Sequence, residues 1–248
     1  MQNSSKLMEH YDQKYRRSNY TLVKPLPIVR RPRDRFEMAA IIASSGVGRY
    51  LEIGAGSGNI ALTVLEKYDE LVLTELSNIR VNELSKLFKN HGKVTVIHHN
   101  IDKDTLDYPE CYFDTVLMVA VIEHLVDPKI VLRELSRVLK PGGRLIIDTP
   151  NIAKWTRRIK LLFGYFPATA SLDEGLLKYD KKTPTDLYDD GHLHYFTFRS
   201  LSRLCISEAG FSEVEWFGYG SWKSTRAPSL LSRFFPTIFS EVFVVEYK

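Results

Sequence analysis

The stretch from Leu51 to Ile60, LEIGAGSGNI, constrains the fold more than any other part of the chain. An apolar run, RYLEI, breaks into glycines at 54, 56 and 58, and NIALTVLEKY follows with apolar residues at helical spacing. Glycine tolerates positive φ in a tight turn and lets a ligand approach the backbone, while the helix start offers free N–H groups. Strand, glycine turn and helix together open a βαβ unit.

The alternation continues along the chain. LVLTEL reads as a strand, NIRVNELSKLFKN as a helix, KVTVIHH as a strand and FDTVLMVAVI as a strongly apolar strand. Runs with no polar alternation suit parallel strands covered on both faces. DPKIVLRELSRVLK places Ile130, Val131, Leu135, Val138 and Leu139 at helical spacing and is expected to stop at Pro141-Gly142-Gly143, before a fifth strand, GRLIIDTP. TFRSLSRLCISEAG then predicts a helix, SEVEWFGYG a strand and FSEVFVVEYK a last strand. The expected fold is an α/β, Rossmann-like three-layer sandwich. Its seven-stranded, mostly parallel sheet has an antiparallel last strand and a helical or loop insertion after the fifth, and a ligand is expected at the carboxyl ends of the strands.

At 248 residues, with 44% hydrophobic and 12% aromatic side chains, the chain is long enough for one substantial core. Residues 1–45 are expected to form an N-terminal arm and first helix, FEMAAIIASS. Residues 46–248 are expected to form the main domain, with the insertion at about 151–191. The 34 Lys and Arg against 30 Asp and Glu lack the dense basic footprint of a dedicated nucleic-acid binder, so nucleic acid is not the expected substrate. Cys111 and Cys205 show no CxxC or metal-ligand spacing, which favours free thiols in a reducing compartment. No apolar run approaches the roughly 20 residues that span a bilayer, and the polar start lacks a signal-peptide core. The expected location is cytoplasmic; the oligomeric state is left open.

A dinucleotide turn needs G-x-G-x-x-G, but position 59 is Asn, so the spacing is G-x-G-x-G. This argues against a nicotinamide-dependent oxidoreductase. Glu75 ends the second strand 21 residues after Gly54, near the offset of about 20 at which a carboxylate reaches a ribose diol.

Five segments, LEIGAGSGN, the acidic strand end at Glu75, LDYPECYFDTV, VIEHLVDP and LKPGGRLIIDTPN, resemble in order the motifs of class I S-adenosylmethionine-dependent methyltransferases. The resemblance covers about residues 49–248 and is close to the ubiquinone-pathway O-methyltransferase-like group. It implies S-adenosylmethionine as cofactor and S-adenosylhomocysteine as product. Glu52 and the turn of Gly54, Ala55, Gly56 and Gly58 would face the methionine end; Glu75, with Leu76 beside it, would bind the ribose hydroxyls. Asn100 or Asp102, with Ile101 between them, would lie near the adenine amino group, and Val119 would complete the cofactor set. Counting from the strand end favours Asn100, and counting back from Phe113-Asp114 favours Asp102.

Methyl transfer from a sulfonium chiefly requires aligning nucleophile and methyl and excluding water, and a hydroxyl acceptor also needs a base. His124, just past the fourth strand, is the first candidate. His192 and His194 sit two apart, on one side of an extended segment. The chain also resembles a metal-assisted subgroup with an E-x-x-E-H pattern and a downstream His. Ala120 replaces the first glutamate and leaves Glu123, His124 and His192 as at most three ligands, so no metal is expected. AKWTRRIKLLFGYF, basic and aromatic, predicts an amphipathic lid over the cofactor that meets an anionic or lipid-linked acceptor, with peripheral membrane contact, and APSLLSRFFPTIF could pack beside it. The reading is an O-directed methyltransferase of a small-molecule, saccharide or lipid-linked acceptor. The alternatives are N-methylation of a small molecule and a methyltransferase-like binding subunit without turnover.

Overall fold

The computed structural model describes residues 8, 9, 12, 13, 15, 16, 23–30, 32–169, 191–219 and 230–248. Helix α1 (Arg35–Ala43) leads to β1 (Arg49–Ile53), α2 (Asn59–Val64), β2 (Glu70–Glu75), α3 (Asn78–Leu87), β3 (Val94–His98) and β4 (Phe113–Val119). A 3-10 turn (Ile122–His124), α4 (Pro128–Val138), β5 (Leu139–Thr149) and α5 (Trp155–Leu162) follow. The chain closes with α6 (Phe198–Ala209), β6 (Glu213–Trp216), α7 (Leu230–Phe234), α8 (Pro236–Phe239) and β7 (Val242–Tyr247). Most of the acidic, turn-rich stretch DKKTPTDLYDDG falls outside the described residues.

The sheet has seven strands in the order β3-β2-β1-β4-β5-β7-β6. β1 to β5 pair in parallel, and β7 runs antiparallel to both β5 and β6, as the alternation predicts. Successive strand residues point to opposite faces, which divides the apolar side chains into two cores. Leu51, Val116, Met118, Leu145 and Val244 pack with Val131 and Leu135 of α4 on one side. Tyr50, Leu71, Leu117, Ile146 and Val245 pack with Ala39, Ala40 and Ala43 of α1 on the other. Each fully buried Leu or Ile contributes roughly 1.5–3 kcal/mol relative to remaining exposed. The strand order reverses between β1 and β4, where a doubly wound sheet opens a crevice beyond the carboxyl ends.

Two local expectations need correction. The helix of DPKIVLRELSRVLK ends at Val138, and β5 begins at Leu139 rather than near Gly143. Leu139 already pairs with Phe113, whereas Arg144 pairs with Thr115, so Lys140 to Gly143 bulge from the ladder with Gly142 at φ 75°. In α4 the buried apolar face is Val131, Leu132, Leu135 and Val138, and Ile130 is 60% exposed. A turn of 100° per residue cannot bring Ile130 onto that face with the others. The basic, aromatic segment AKWTRRIKLLFGYF forms the expected helix, α5, and none of the helix residues is buried.

Candidate active site

The cleft sits where the sheet order predicts. About 240 Å³ of space is lined by the end of β1 (Ile53), the turn after it (Gly54, Gly56), the end of β2 (Thr74, Glu75, Leu76) and the segment after β3 (His99 to Asp102). Val119, Ala120, Val121, His124 and Leu125 close its other wall, and Tyr15 and Phe36 of the arm and α1 lie against it.

The three glycines serve different ends. A side chain at Gly58 (φ 82°) would meet Leu84 Cδ2 at 2.7 Å, so this glycine lets α2 close on α3. At Gly54 (φ 70°) it would meet Val121 Cγ2 at 2.7 Å, across the cleft wall. At Gly56 (φ 56°) it would meet nothing within 4 Å, leaving backbone open toward the cleft. Glu75 closes the turn from the neighbouring strand: its carboxylate accepts from the Gly56 N–H at 2.9 Å and from its own strand end at Leu76 N (2.8 Å) and Ser77 N (3.2 Å).

Glu52 is placed differently from the rim residues. It is buried, accepts the Tyr50 hydroxyl at 2.9 Å, and is absent from the cleft lining. Burial pushes its carboxyl up to about 8, against the Tyr50 hydrogen bond and with a further push from Glu75. Ala55 and Gly58 do not line the cleft either. Asn100 and Asp102 both do, and both also hold the loop: Asn100 Oδ1 accepts from Asp102 N at 3.2 Å, and Asp102 Oδ1 from Val126 N at 2.8 Å.

At the mouth, β4 ends at Val119, the next residue, Ala120, has a left-handed φ of 53°, and the chain turns sharply into the 3-10 turn carrying Glu123 and His124. The extended segment before α6 returns to this turn, with Leu193 N and His194 N donating to the Glu123 carbonyl at 2.8 and 3.2 Å. This return brings His192 onto His124, edge to face at 4.7 Å between ring centroids. Donor atoms of Glu123, His124 and His192 lie within 4.8 Å of one another. Each is oriented from behind: Thr149 Oγ1 donates to Glu123 at 2.9 Å, His124 Nδ1 faces the Gly191 carbonyl at 2.7 Å, and His192 Nδ1 faces Thr169 Oγ1 at 2.7 Å. A carbonyl only accepts, so His124 Nδ1 carries a proton, and in the neutral ring Nε2 is the nitrogen with the lone pair. His194 stands apart from the group, with Nε2 toward the Val126 carbonyl at 3.4 Å. Two imidazoles and a carboxylate, each oriented by a second hydrogen bond, form a donor set that suits a divalent transition metal.

Beneath the mouth, Asp148 is fully buried between Arg35 (3.3 Å) and the Tyr219 hydroxyl (2.7 Å). Burial raises its carboxyl to about 7, with Arg35 and Tyr219 opposing. The pair pins α1, and so Phe36, to the end of β5. Tyr15, Phe36, Thr74 and His99 also line the cleft, outside the residues and glycine and histidine motifs that the sequence singles out.

Comparison with known proteins agrees with this architecture. Residues 26–215 match the model of a family described as methyltransferase domain. The chain is 32% identical over 118 residues to the ubiquinone/menaquinone biosynthesis C-methyltransferase UbiE of Syntrophotalea carbinolica, covering 46% of this chain and 49% of that protein. It is 30% identical over 148 residues to the 27-O-demethylrifamycin SV methyltransferase of Amycolatopsis mediterranei, covering 55% and 54% respectively. The chain thus spans about half the length of these curated relatives. Among solved structures, a Thermotoga maritima protein described as an S-adenosylmethionine-dependent methyltransferase, possible histamine N-methyltransferase, superimposes with a TM-score of 0.57 at 21% identity, covering 85% of this chain and 88% of that one. At that identity the likeness speaks for the fold.

Proposed function

The chain belongs to the methyltransferase domain family, with the class I S-adenosylmethionine-dependent fold, and from that premise we propose that it transfers the methyl group of S-adenosylmethionine to an acceptor hydroxyl. The observation that carries the reading is the Gly56 N–H closed onto the Glu75 carboxylate at the rim of a cleft whose opposite wall holds His124. In the proposed complex Glu75 takes the ribose hydroxyls, Gly54 and Gly56 admit the methionine end, and Asn100 to Asp102, with Leu76 and Val119, bracket the adenine. Glu52, behind the turn, supports it rather than touching the ligand. His124, with Nε2 as the lone-pair nitrogen, is the base for the acceptor proton; His192, packed on its ring, holds it in place, and His194 braces the loop.

The acceptor is a small molecule, a saccharide or a lipid-linked compound, and the setting is cytoplasmic. No described helix is long and apolar enough to cross a membrane. Among the described residues, Tyr15 and Phe36 cover the cofactor side of the cleft, and the insertion contributes to the acceptor side through Thr169, which bonds His192. One relative is named a C-methyltransferase and another a 27-O-demethylrifamycin SV methyltransferase, so the acceptor atom is assigned here from the mouth histidines. The test is methyl transfer from labelled S-adenosylmethionine to a panel of hydroxyl, amine and carbon acceptors, with the modified atom located by mass spectrometry. Product on a hydroxyl supports the reading; product on nitrogen or carbon alone, or none across the panel, contradicts it.

A second reading rests on the donor set. Glu123, His124 and His192 would hold a divalent ion, which when bound supplies Lewis-acid activation of an acceptor oxygen. The two readings separate on exhaustive chelation. Activity that survives supports His124 as base, and activity lost and restored by one ion supports the metal.

A further inference from the structure

The Arg35 side chain runs against its local setting. Arg35 is the first residue of α1, where the free N–H ends of a helix disfavour a cation. Arg33, two residues earlier, stays at the surface and pairs with Glu37 of the same helix. Arg35 instead turns inward, its side chain 24% exposed, to the wholly buried carboxylate of Asp148 at the end of β5. Burial disfavours the charge on both groups. For Arg35 it is outweighed by Asp148, Tyr219, Glu123 and Glu241, whereas for Asp148 the opposing pull of Arg35 and Tyr219 offsets it only in part. A buried ion pair adds little stability over apolar residues of the same volume, so stability does not account for this one.

What the pair supplies is position, and the positions it sets belong to the cleft. Arg35 precedes Phe36, which lines the cleft and is 49% exposed, so ring surface is open to a ligand there. The Asp148 carbonyl accepts from Ala120 N at 2.9 Å, and Ala120, with its left-handed backbone, is another lining residue. Asp148 is itself anchored from behind. Its Oδ2 accepts the Tyr219 hydroxyl at 2.7 Å, and Tyr219 N donates to Ser240 Oγ at 3.1 Å, just ahead of β7. One buried carboxylate thus ties two lining residues from separate elements to the interior of the sheet.

We infer, resting on the methyltransferase reading above, that Arg35 and Asp148 are positioning residues of the cofactor site, which hold Phe36 against bound S-adenosylmethionine.

The test is calorimetric titration of S-adenosylhomocysteine into wild type, Phe36→Ala, Arg35→Gln, Arg35→Lys and Arg35→Gln/Phe36→Ala. Phe36→Ala and Arg35→Gln are each expected to weaken binding about tenfold, within what an aromatic face against a base is worth. The double variant is expected to lose no more than either single one, because Arg35 acts through the ring. Arg35→Lys keeps the charge and is expected to recover most of the affinity. Losses that multiply to about a hundredfold in the double variant, wild-type affinity in Arg35→Gln, or equal losses in Arg35→Lys and Arg35→Gln would overturn the inference. The Asp148 carboxyl, raised to about 7, can take up a proton when its cation is removed, so Arg35→Gln is expected to fold. Arg35→Met/Asp148→Leu/Tyr219→Phe removes all three polar groups while keeping apolar volume, and should fold with a loss of affinity like that of Phe36→Ala; wild-type affinity there would overturn the inference as well. A ligand-free arm separates the inference from the reading it rests on. The amides of Glu37 and Met38, bonded to Asp34 Oδ1 and to the Asp34 carbonyl, are expected to exchange with deuterium faster in Arg35→Gln than in wild type. Absence of S-adenosylhomocysteine binding to wild type would remove the methyltransferase reading; unchanged exchange would remove the inference.

Discussion

The glycine rim and the histidine mouth of the cleft are built by different means. On the rim, Gly54, Gly56, Glu75, Asn100 and Asp102 all stand at or just beyond the carboxyl ends of β1, β2 and β3, so the parallel ladder sets their spacing. At the mouth, Glu123 and His124 sit on one short turn, but His192 arrives 68 positions later on a returning segment held to the Glu123 carbonyl. The rim is a consequence of sheet register; the mouth depends on a few long-range hydrogen bonds. Such a division leaves the register-built rim constant while the loop-built mouth is free to vary.

The contrast can be broken most sharply at the mouth. Replacing His124 with Ala should cut turnover by about 10²–10⁴-fold while S-adenosylhomocysteine affinity stays within twofold, because a base serves the acceptor and not the cofactor. A comparable loss of cofactor affinity would merge the two regions. His192→Ala should act through His124: a smaller fall in turnover, accompanied by a shift in the pH–rate profile that His192→Gln partly restores. An unchanged profile would leave His192 with a packing role only.

On the rim the glycines sharpen the comparison. Gly58→Ala must fit a methyl group 2.7 Å from Leu84 Cδ2 in addition to adopting a left-handed backbone, and should lose about 2–4 kcal/mol of stability in chemical denaturation. Gly56→Ala has open space and should lose only about 1–2 kcal/mol, with its main effect on cofactor affinity. Equal stabilities for the two variants would contradict the separation of a packing glycine from a ligand-facing one.

A further effect is expected in the pH dependence of stability. The Glu52 carboxyl is raised by burial from its ordinary value to about 8, so its contribution is fully present below the unfolded value, near 4.5, and is lost as pH rises through about 8. Glu52→Gln should therefore flatten the fall in Tm between about pH 5 and pH 8, read by calorimetric melts across that range. A steeper fall in the variant would mean that the native carboxyl ionises more readily than its burial implies.

Much of the rim was legible in the sequence because its signals are local. The apolar runs that become β1, β2, β4 and β5, the G-x-G-x-G turn and the acid at the end of β2 each declare themselves within a few residues. What escaped depends on distance or on small backbone preferences. Leu139 joins β5 because Phe113 offers it a ladder position, which helical periodicity cannot register. Ile130 matches the apolar count of α4 yet faces solvent, since spacing alone does not say which side of an ambiguous pair meets the sheet. Tyr15 and Phe36 reach the cleft from far outside its strand ends in sequence, Phe36 beside Arg35, which is anchored on buried Asp148. His192 and His194 are equivalent by alternation, but the fold buries the first beside His124 and turns the second toward Val126.

Calorimetric titration of S-adenosylhomocysteine into wild type and Glu75→Ala tests the central claim most directly. The account predicts micromolar binding to wild type, weakened by about 1–3 kcal/mol when the carboxylate that spans the glycine turn and the ribose position is removed. Absence of binding to wild type, or equal affinity in the variant, would contradict the assignment of this cleft to the methyl donor.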